Sequence, residues 1–135
     1  MARFERPGLG AFGGPGFLRR ITALHDDRLP TEVWVMAHVR QCLAEGIPAT
    51  VVHKGDAKGG TLLLKLNLLD QGCRVLSQAR DLDGALGWLV AFKGALVPES
   101  EADEHIARAL ARDPDLWVVE IEDRDGRHPF EGKEL

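Results

Sequence analysis

Cysteine is nearly missing from this chain: Cys42 and Cys73 stand far apart, and neither belongs to a Cys-x-x-Cys pair. A disulfide framework or a zinc ribbon therefore lacks its raw material, and two buried thiols are the expectation. Long apolar runs are missing too. No window approaches the roughly 18 uninterrupted apolar residues of a membrane span, and the opening MARFERPGLGAFGGPG has no apolar centre of the kind a signal peptide carries. The expected setting is the cytoplasm, with no membrane partner.

Positive charge is thin where a nucleic-acid ligand would need it. Residues 1–28 hold five arginines against three acids, residues 29–97 seven basic against six acidic, and residues 98–135 five against twelve. The net charge of -4 thus conceals an acid-rich last third. Only Lys54, Lys58, Lys65, Arg74, Arg80 and Lys93 offer a basic face to displace counterions from a phosphate backbone, so nucleic acid is not expected as a partner.

What is present suits an ordinary soluble domain, 44% hydrophobic and 28% charged over 135 residues. Five glycines and two prolines within residues 7–16 leave little to bury, so residues 1–28 read as a flexible Gly/Pro-rich extension. Within it, FLRRITALH has helical spacing over a short stretch. A single domain is expected over residues 29–126, followed by a tail over residues 127–135. Thr31, as an N-cap, and Gly46, as a stop, bound a helix over residues 31–45. Its apolar side is Val35, Met36, Val39 and Leu43. Trp34, His38, Gln41 and Glu45 line the other side, a candidate binding strip in which Trp34 packs a ligand or partner.

Two strands then flank GDAKGG as a hairpin, and turns at residues 70–72 and 82–84 lead into two more, which makes a four-stranded meander. A second helix opens at Pro98 and Ser100, where Ser100 and Asp103 fit a capping box, and turns Ala102, Ile106, Ala109 and Leu110 inward. Pro114 ends it, and LWVVEIE is the last strand. The expected fold class is α+β: a mainly antiparallel sheet in the order helix, four-strand meander, helix, strand, with both helices on one face.

Catalytic motifs are mostly rejected. The loop GDAKGGT lacks a lysine directly before Thr61 and leads into a strand rather than a helix, so a phosphate-binding loop is excluded and a backbone anion nest is a minor alternative. KGALVPES lacks the glycines of an acetyl-coenzyme A site, and no Gly-x-Ser-x-Gly elbow is present. No cofactor and no metal site is expected. The weak candidates for chemistry are His53 and Asp56 after the first strand, with Glu120 and Glu122 on one face of the last, about 7 Å apart. Two carboxylates are too few for a hard cation unless His53 or Asp56 joins them.

LPTEVWV (29–35), HKGD (53–56), QARDLDGALGW (78–88) and ARDPDLWVVEIEDRDGRHPFEG (111–132) occur in that order, and with them the chain resembles the small alphaproteobacterial family known as domain of unknown function 1491. The resemblance covers nearly all of residues 29–135. It implies a fold unit and carries no activity, substrate or catalytic residue. In similar proteins the chain begins close to Leu29, so the Gly-rich extension departs from the pattern, and the resemblance leaves two readings of it, an upstream start and a functional arm. The function stays unknown at this level. A non-catalytic binding or regulatory module with a protein or small-molecule partner is preferred, and a metal-assisted hydrolase or lyase built on Glu120 and Glu122 is the alternative.

Overall fold

The first helix, α1 (Thr31–Ala44), is capped by a neighbouring loop rather than by its own side chain. Thr31 N and Oγ1 donate to the Lys58 carbonyl at 3.4 and 3.3 Å, and Glu32 N donates to Ala57 O at 2.9 Å. At its other end Gly46 takes the left-handed conformation the sequence signal called for. The structure, a computed structural model, describes residues 29–135. The expected extension over residues 1–28 and its short helical stretch lie outside the described residues.

Six strands follow: β1 (Ala49–His53), β2 (Leu62–Asn67), β3 (Cys73–Arg80), β4 (Leu86–Val90), β5 (Trp117–Glu122) and β6 (Lys133–Glu134), with the second helix, α2 (Glu99–Arg112), between β4 and β5. The sheet order is β1-β5-β2-β3-β4-β6. Two expectations are corrected here. The hairpin of β1 and β2 does not form, because β5 inserts between them, antiparallel to β1 and parallel to β2. The sheet is therefore mixed, and the true meander is β2-β3-β4. The physical reason lies in the side chains. Every residue of β2 is buried, which suits a central strand covered on both faces, whereas β1 exposes Thr50 and Val52 and suits an edge.

The second correction concerns the helices, which cover opposite faces. Leu62, Leu64 and Leu66 of β2 share a core with Trp34, Val35 and Val39 of α1, together with Trp88, Trp117, Val119 and Ile121. Leu63, Val75 and Val118 point the other way, to Ala102, Ile106 and Ala109 of α2. A strand that is apolar on both faces requires cover on both. The stretch expected as a tail also joins the body: β6 pairs parallel with β4, Phe130 is buried, and Trp88 Nε1 donates to Glu131 O at 3.0 Å. Among the described residues no helix is long and apolar enough to cross a membrane.

The loop joining β1 to β2 is pressed onto the chain entering β5. A Cβ on Gly60 would run into the Asp115 carbonyl oxygen and would stand 3.0 Å from the Trp117 ring and 3.1 Å from Asp56 N. None of these neighbours except the ring edge belongs to a side chain that can turn away. Gly60→Ala is accordingly expected to cost about 3 kcal/mol in a urea titration. Unchanged stability would mean that the loop does not lie against Asp115.

Candidate functional site

Asp56 organises the loop. Its Oδ2 accepts from Gly59 N at 2.8 Å, its carbonyl accepts from Gly60 N at 3.2 Å and from Trp117 Nε1 at 2.8 Å, and its own N–H donates to Asp115 O. The amides of Gly59 and Gly60 thus turn back onto Asp56, and the carbonyls of Ala57 and Lys58 are turned to the start of α1. Of the amides in the nest considered from GDAKGGT, those of Asp56, Gly59 and Gly60 are taken up by these bonds. Asp56, one of the candidates for chemistry, is exposed and holds a turn.

Across from the loop lies the end of β3, where Gln78 Oε1 accepts from Leu62 N at 2.8 Å and Arg80 Nη1 donates to Gly84 O at 3.0 Å. Between loop and strand end opens a cleft of about 380 Å³, lined by Thr31, Lys58, Gly59, Thr61, Gln78 and Arg80 among others, with no carboxylate among its described lining residues. The β3–β4 turn beside it is stiff. Asp81 Oδ1 accepts from Asp83 N and Ala85 N, both at 2.9 Å, and the backbone bonds, that of Ala85 first, hold the Asp81 carboxyl below its ordinary range.

The other candidate side chains are engaged elsewhere. The His53 ring donates through Nδ1 to the Leu116 carbonyl at 2.8 Å. Glu120 accepts from Asn67 Nδ2 at 3.0 Å and lies 3.7 Å from Lys65 Nζ, while Glu122 is exposed at the end of β5. Lys65 is buried on the α2 face, where its ammonium also meets Glu99 and Asp103 of α2, each at 2.7 Å. Asp103, expected as the return partner in a capping box, reaches Lys65 instead, and α2 has no side-chain cap. Sequence reasoning missed this cluster, although a lysine inside LLLKLN followed by an acid-rich PESEADE was its signal. Among the described residues no group of three or more His, Cys, Asp or Glu is arranged to hold a metal ion.

The proposed strip on α1 turns inward. Trp34 and His38 are both 0% exposed, and Gln41 is half-buried. His38 stacks on Phe130 with centroids 4.4 Å apart, and Trp34 meets the same ring edge-on at 5.2 Å. The true buried stripe is Trp34, Val35, His38, Val39 and Cys42, while Leu43, expected inside, is 55% exposed. The periodicity misled because His38 counts as polar. Its Nδ1–H donates to the Trp34 carbonyl one turn back at 2.8 Å, which makes its burial inexpensive.

His128 closes this aromatic cluster 6.4 Å from Trp88. Burial, then the nearby charges of Arg74 and His38, lower its pKa from 6.5 to about 4. A histidine kept neutral in the folded state favours folding fully above its unfolded value of 6.5 and loses that contribution as pH falls toward 4. Urea midpoints are expected to drop between pH 7 and pH 5, with a shallower slope in His128→Gln. The variant is needed because His105 is lowered in the same direction by burial, Arg108 and Arg112. An identical slope in the variant would show that His128 titrates normally. Both cysteines are free and buried, and burial, with Asp123 second, pushes the Cys42 thiol up to about 12.

With this geometry in place, comparison gives the kinship. The model of a family described as protein of unknown function (DUF1491) matches residues 29–131. A crystal structure of a DUF1491 family protein from Caulobacter crescentus CB15 is 41% identical, with a TM-score of 0.71 over 78% of this chain and 99% of that one. An NMR structure of a DUF1491 family protein from the same bacterium is 40% identical, with a TM-score of 0.69 over 79% and 97%. The solution structure of protein Atu0922 from A. tumefaciens is 28% identical, with a TM-score of 0.59 over 70% and 86%. No curated protein matches.

Proposed function

The chain belongs to the DUF1491 family, and from that premise we propose that it is a small non-catalytic binding or regulatory module whose ligand is a small molecule held in the cleft between residues 58–61 and 78–80. One observation carries this reading. Three of the four groups weighed for acid-base chemistry, His53, Asp56 and Glu120, are engaged in bonds that hold the fold, the fourth, Glu122, is exposed at the end of β5, and none of the four lines the cleft, which is walled by polar residues on a braced frame. A catalytic acid or base must reach a proton on its substrate, and groups committed to Leu116, Gly59 and Asn67 are poorly disposed to do so. A cleft of this size lies within the range of small-molecule sites.

The test is a titration of isotope-labelled protein with a panel of small metabolites. At least one compound is expected to shift the amide signals of Gly59, Gly60, Thr61 and Arg80 in a saturable way and to remain chemically unchanged in the tube. Conversion of a panel compound that disappears in Glu120→Gln or His53→Gln would put an enzyme in place of the module.

A further inference from the structure

A helix about 10 Å across covers two or three strands spaced about 4.8 Å apart, so α2 cannot roof the whole sheet. The core beneath it draws on Leu63 of β2, Cys73 and Val75 of β3 and Val118 of β5, which leaves β4 and β6 bare on that face. Leu86, Trp88 and Val90 turn to the opposite core, and Gly87 and Leu89 therefore face the α2 side. β6 runs in register beside them. Lys133 pairs with Gly87, and a Cβ on Gly87 would strike the Leu135 side chain, so Leu135 lies next to Leu89 on the same face. Leu89 is 53% exposed and Leu135 45%. The other uncovered strand, β1, shows Thr50 and Val52 beside a flank of α2 whose Glu99 and Asp103 are committed to Lys65.

The width of the bare strip decides what fits it. Packed helices lie about 8 to 10 Å apart, which is two strand spacings, so a helix laid beside α2 would sit over β4 with Leu89 beneath it. The wall that α2 offers to such a helix begins at His105, whose ring stands 5.2 Å from that of Phe92, just after β4. Arg108 and Arg112 fall three and seven positions further on and share that flank. Both charges reach His105, where they add to burial in lowering its pKa. Lys133 stands on the far edge and Lys93 follows Phe92, both exposed. The nearby acids are Glu101 and Glu104 toward the start of α2, Glu104 4.0 Å from Arg108, and Asp81, 3.9 Å from Lys133. The wall from His105 to Arg112 is thus basic in a chain of net charge -4. Phe92 and Lys93 are held in the left-handed region, with φ of 58° and 53°, which seats Phe92 against the α2-side core at the head of the strip.

We propose that this strip is a docking surface for an acidic amphipathic helix of a partner protein, its apolar side on Leu89 and Leu135 and its carboxylates toward Arg108 and Arg112. The surface is separate from the cleft and does not depend on what the cleft binds. The probe is a synthetic peptide of about 15 residues, with leucine along one side of a helix and glutamate elsewhere, titrated into isotope-labelled full-length protein. Its control carries lysine for every glutamate. Saturable shifts are expected at the amides of Leu89, Phe92, His105 and Leu135 with the acidic peptide, and the lysine peptide should bind roughly tenfold or more weakly. Burying a leucine is worth roughly tenfold to a hundredfold in affinity, so Leu89→Asp should weaken the acidic peptide by roughly tenfold or more. Arg108→Glu combined with Arg112→Glu should do the same by reversing the wall. All three positions are exposed, so the variants should keep the wild-type pattern of amide signals elsewhere. Equal binding of the lysine peptide, no saturable shift at these amides, or undiminished binding to Leu89→Asp would overturn the proposal. Concentration-dependent shifts of the same amides in the protein alone would overturn it as well, and would give the surface to a second copy of the chain.

Discussion

Trp117→Ala is expected to lower the unfolding free energy by about 3 to 5 kcal/mol. The ring is 1% exposed and belongs to the α1-side core. Truncation would leave a cavity in a core to which α1 and the strands β2, β3, β4 and β5 contribute. It would also strip the Asp56 carbonyl of its bond from Trp117 Nε1, in a loop that depends on Asp56 for its shape. Since small domains are stable by about 5 to 15 kcal/mol, the variant should be close to unfolding in mild urea. Trp117→Phe separates the two effects: it keeps most of the apolar volume and loses the hydrogen bond, at about 1 kcal/mol beyond its change in volume. A Trp117→Ala protein within about 1 kcal/mol of wild type would mean that the core is not organised around this ring.

The second large effect is asymmetric. Removing Glu99 and Asp103 together, as Gln and Asn, would leave the Lys65 ammonium, its side chain 6% exposed, with Glu120 alone at 3.7 Å. A buried charge deprived of its partners costs about 3 to 5 kcal/mol. Lys65→Met, by contrast, is expected to change stability by only about 1 kcal/mol, because the Glu99 and Asp103 side chains are each 56% exposed and return to water. The pH dependence follows from the sign of the shift. Burial alone would lower the lysine pKa, but hydrogen bonds to Asp103 and Glu99 and the charge of Glu120 hold it above its ordinary 10.5. Its stabilising contribution is then fully present below about 10.5 and is lost as pH rises beyond that. The deficit of the double variant should be flat between pH 6 and pH 9 in urea titrations. Equal losses for the lysine and the carboxylate variants would show that the cluster is no more than a surface ion pair.

Much of the fold was legible. Helix limits followed from Pro98, Pro114 and Gly46, and the meander β2-β3-β4 followed from turns between alternating strands. The inward stripe Ala102, Ile106 and Ala109 of α2 is buried as its spacing requires. Strand partnership was not legible, because periodicity reports which face a residue occupies and not which strand lies beside it. Hence Leu62 through Asn67 was paired with its neighbour in sequence, and the short β6 gave no signal at all. The candidate site divides along the same line. Each of His53, Asp56, Glu120 and Glu122 was visible as a residue type, but the partners of His53 and Glu120, the Leu116 carbonyl and Asn67, depend on the insertion of β5. The cleft is lined from residues 58–61 and 78–80 together, a juxtaposition that residues in separate elements cannot announce.

The position of β5 also sets an order of events during synthesis. Ala49 must wait for Ile121 and Leu62 for Trp117, so strands made early have no lasting neighbour on one side until the chain is nearly complete. Such long-range pairing folds slowly and late. Until then β1 exposes an unpaired edge, and β2 an apolar surface, to whatever else the ribosome's surroundings contain. A chain cut short before Trp117 would therefore lose the middle of its sheet rather than one end of it.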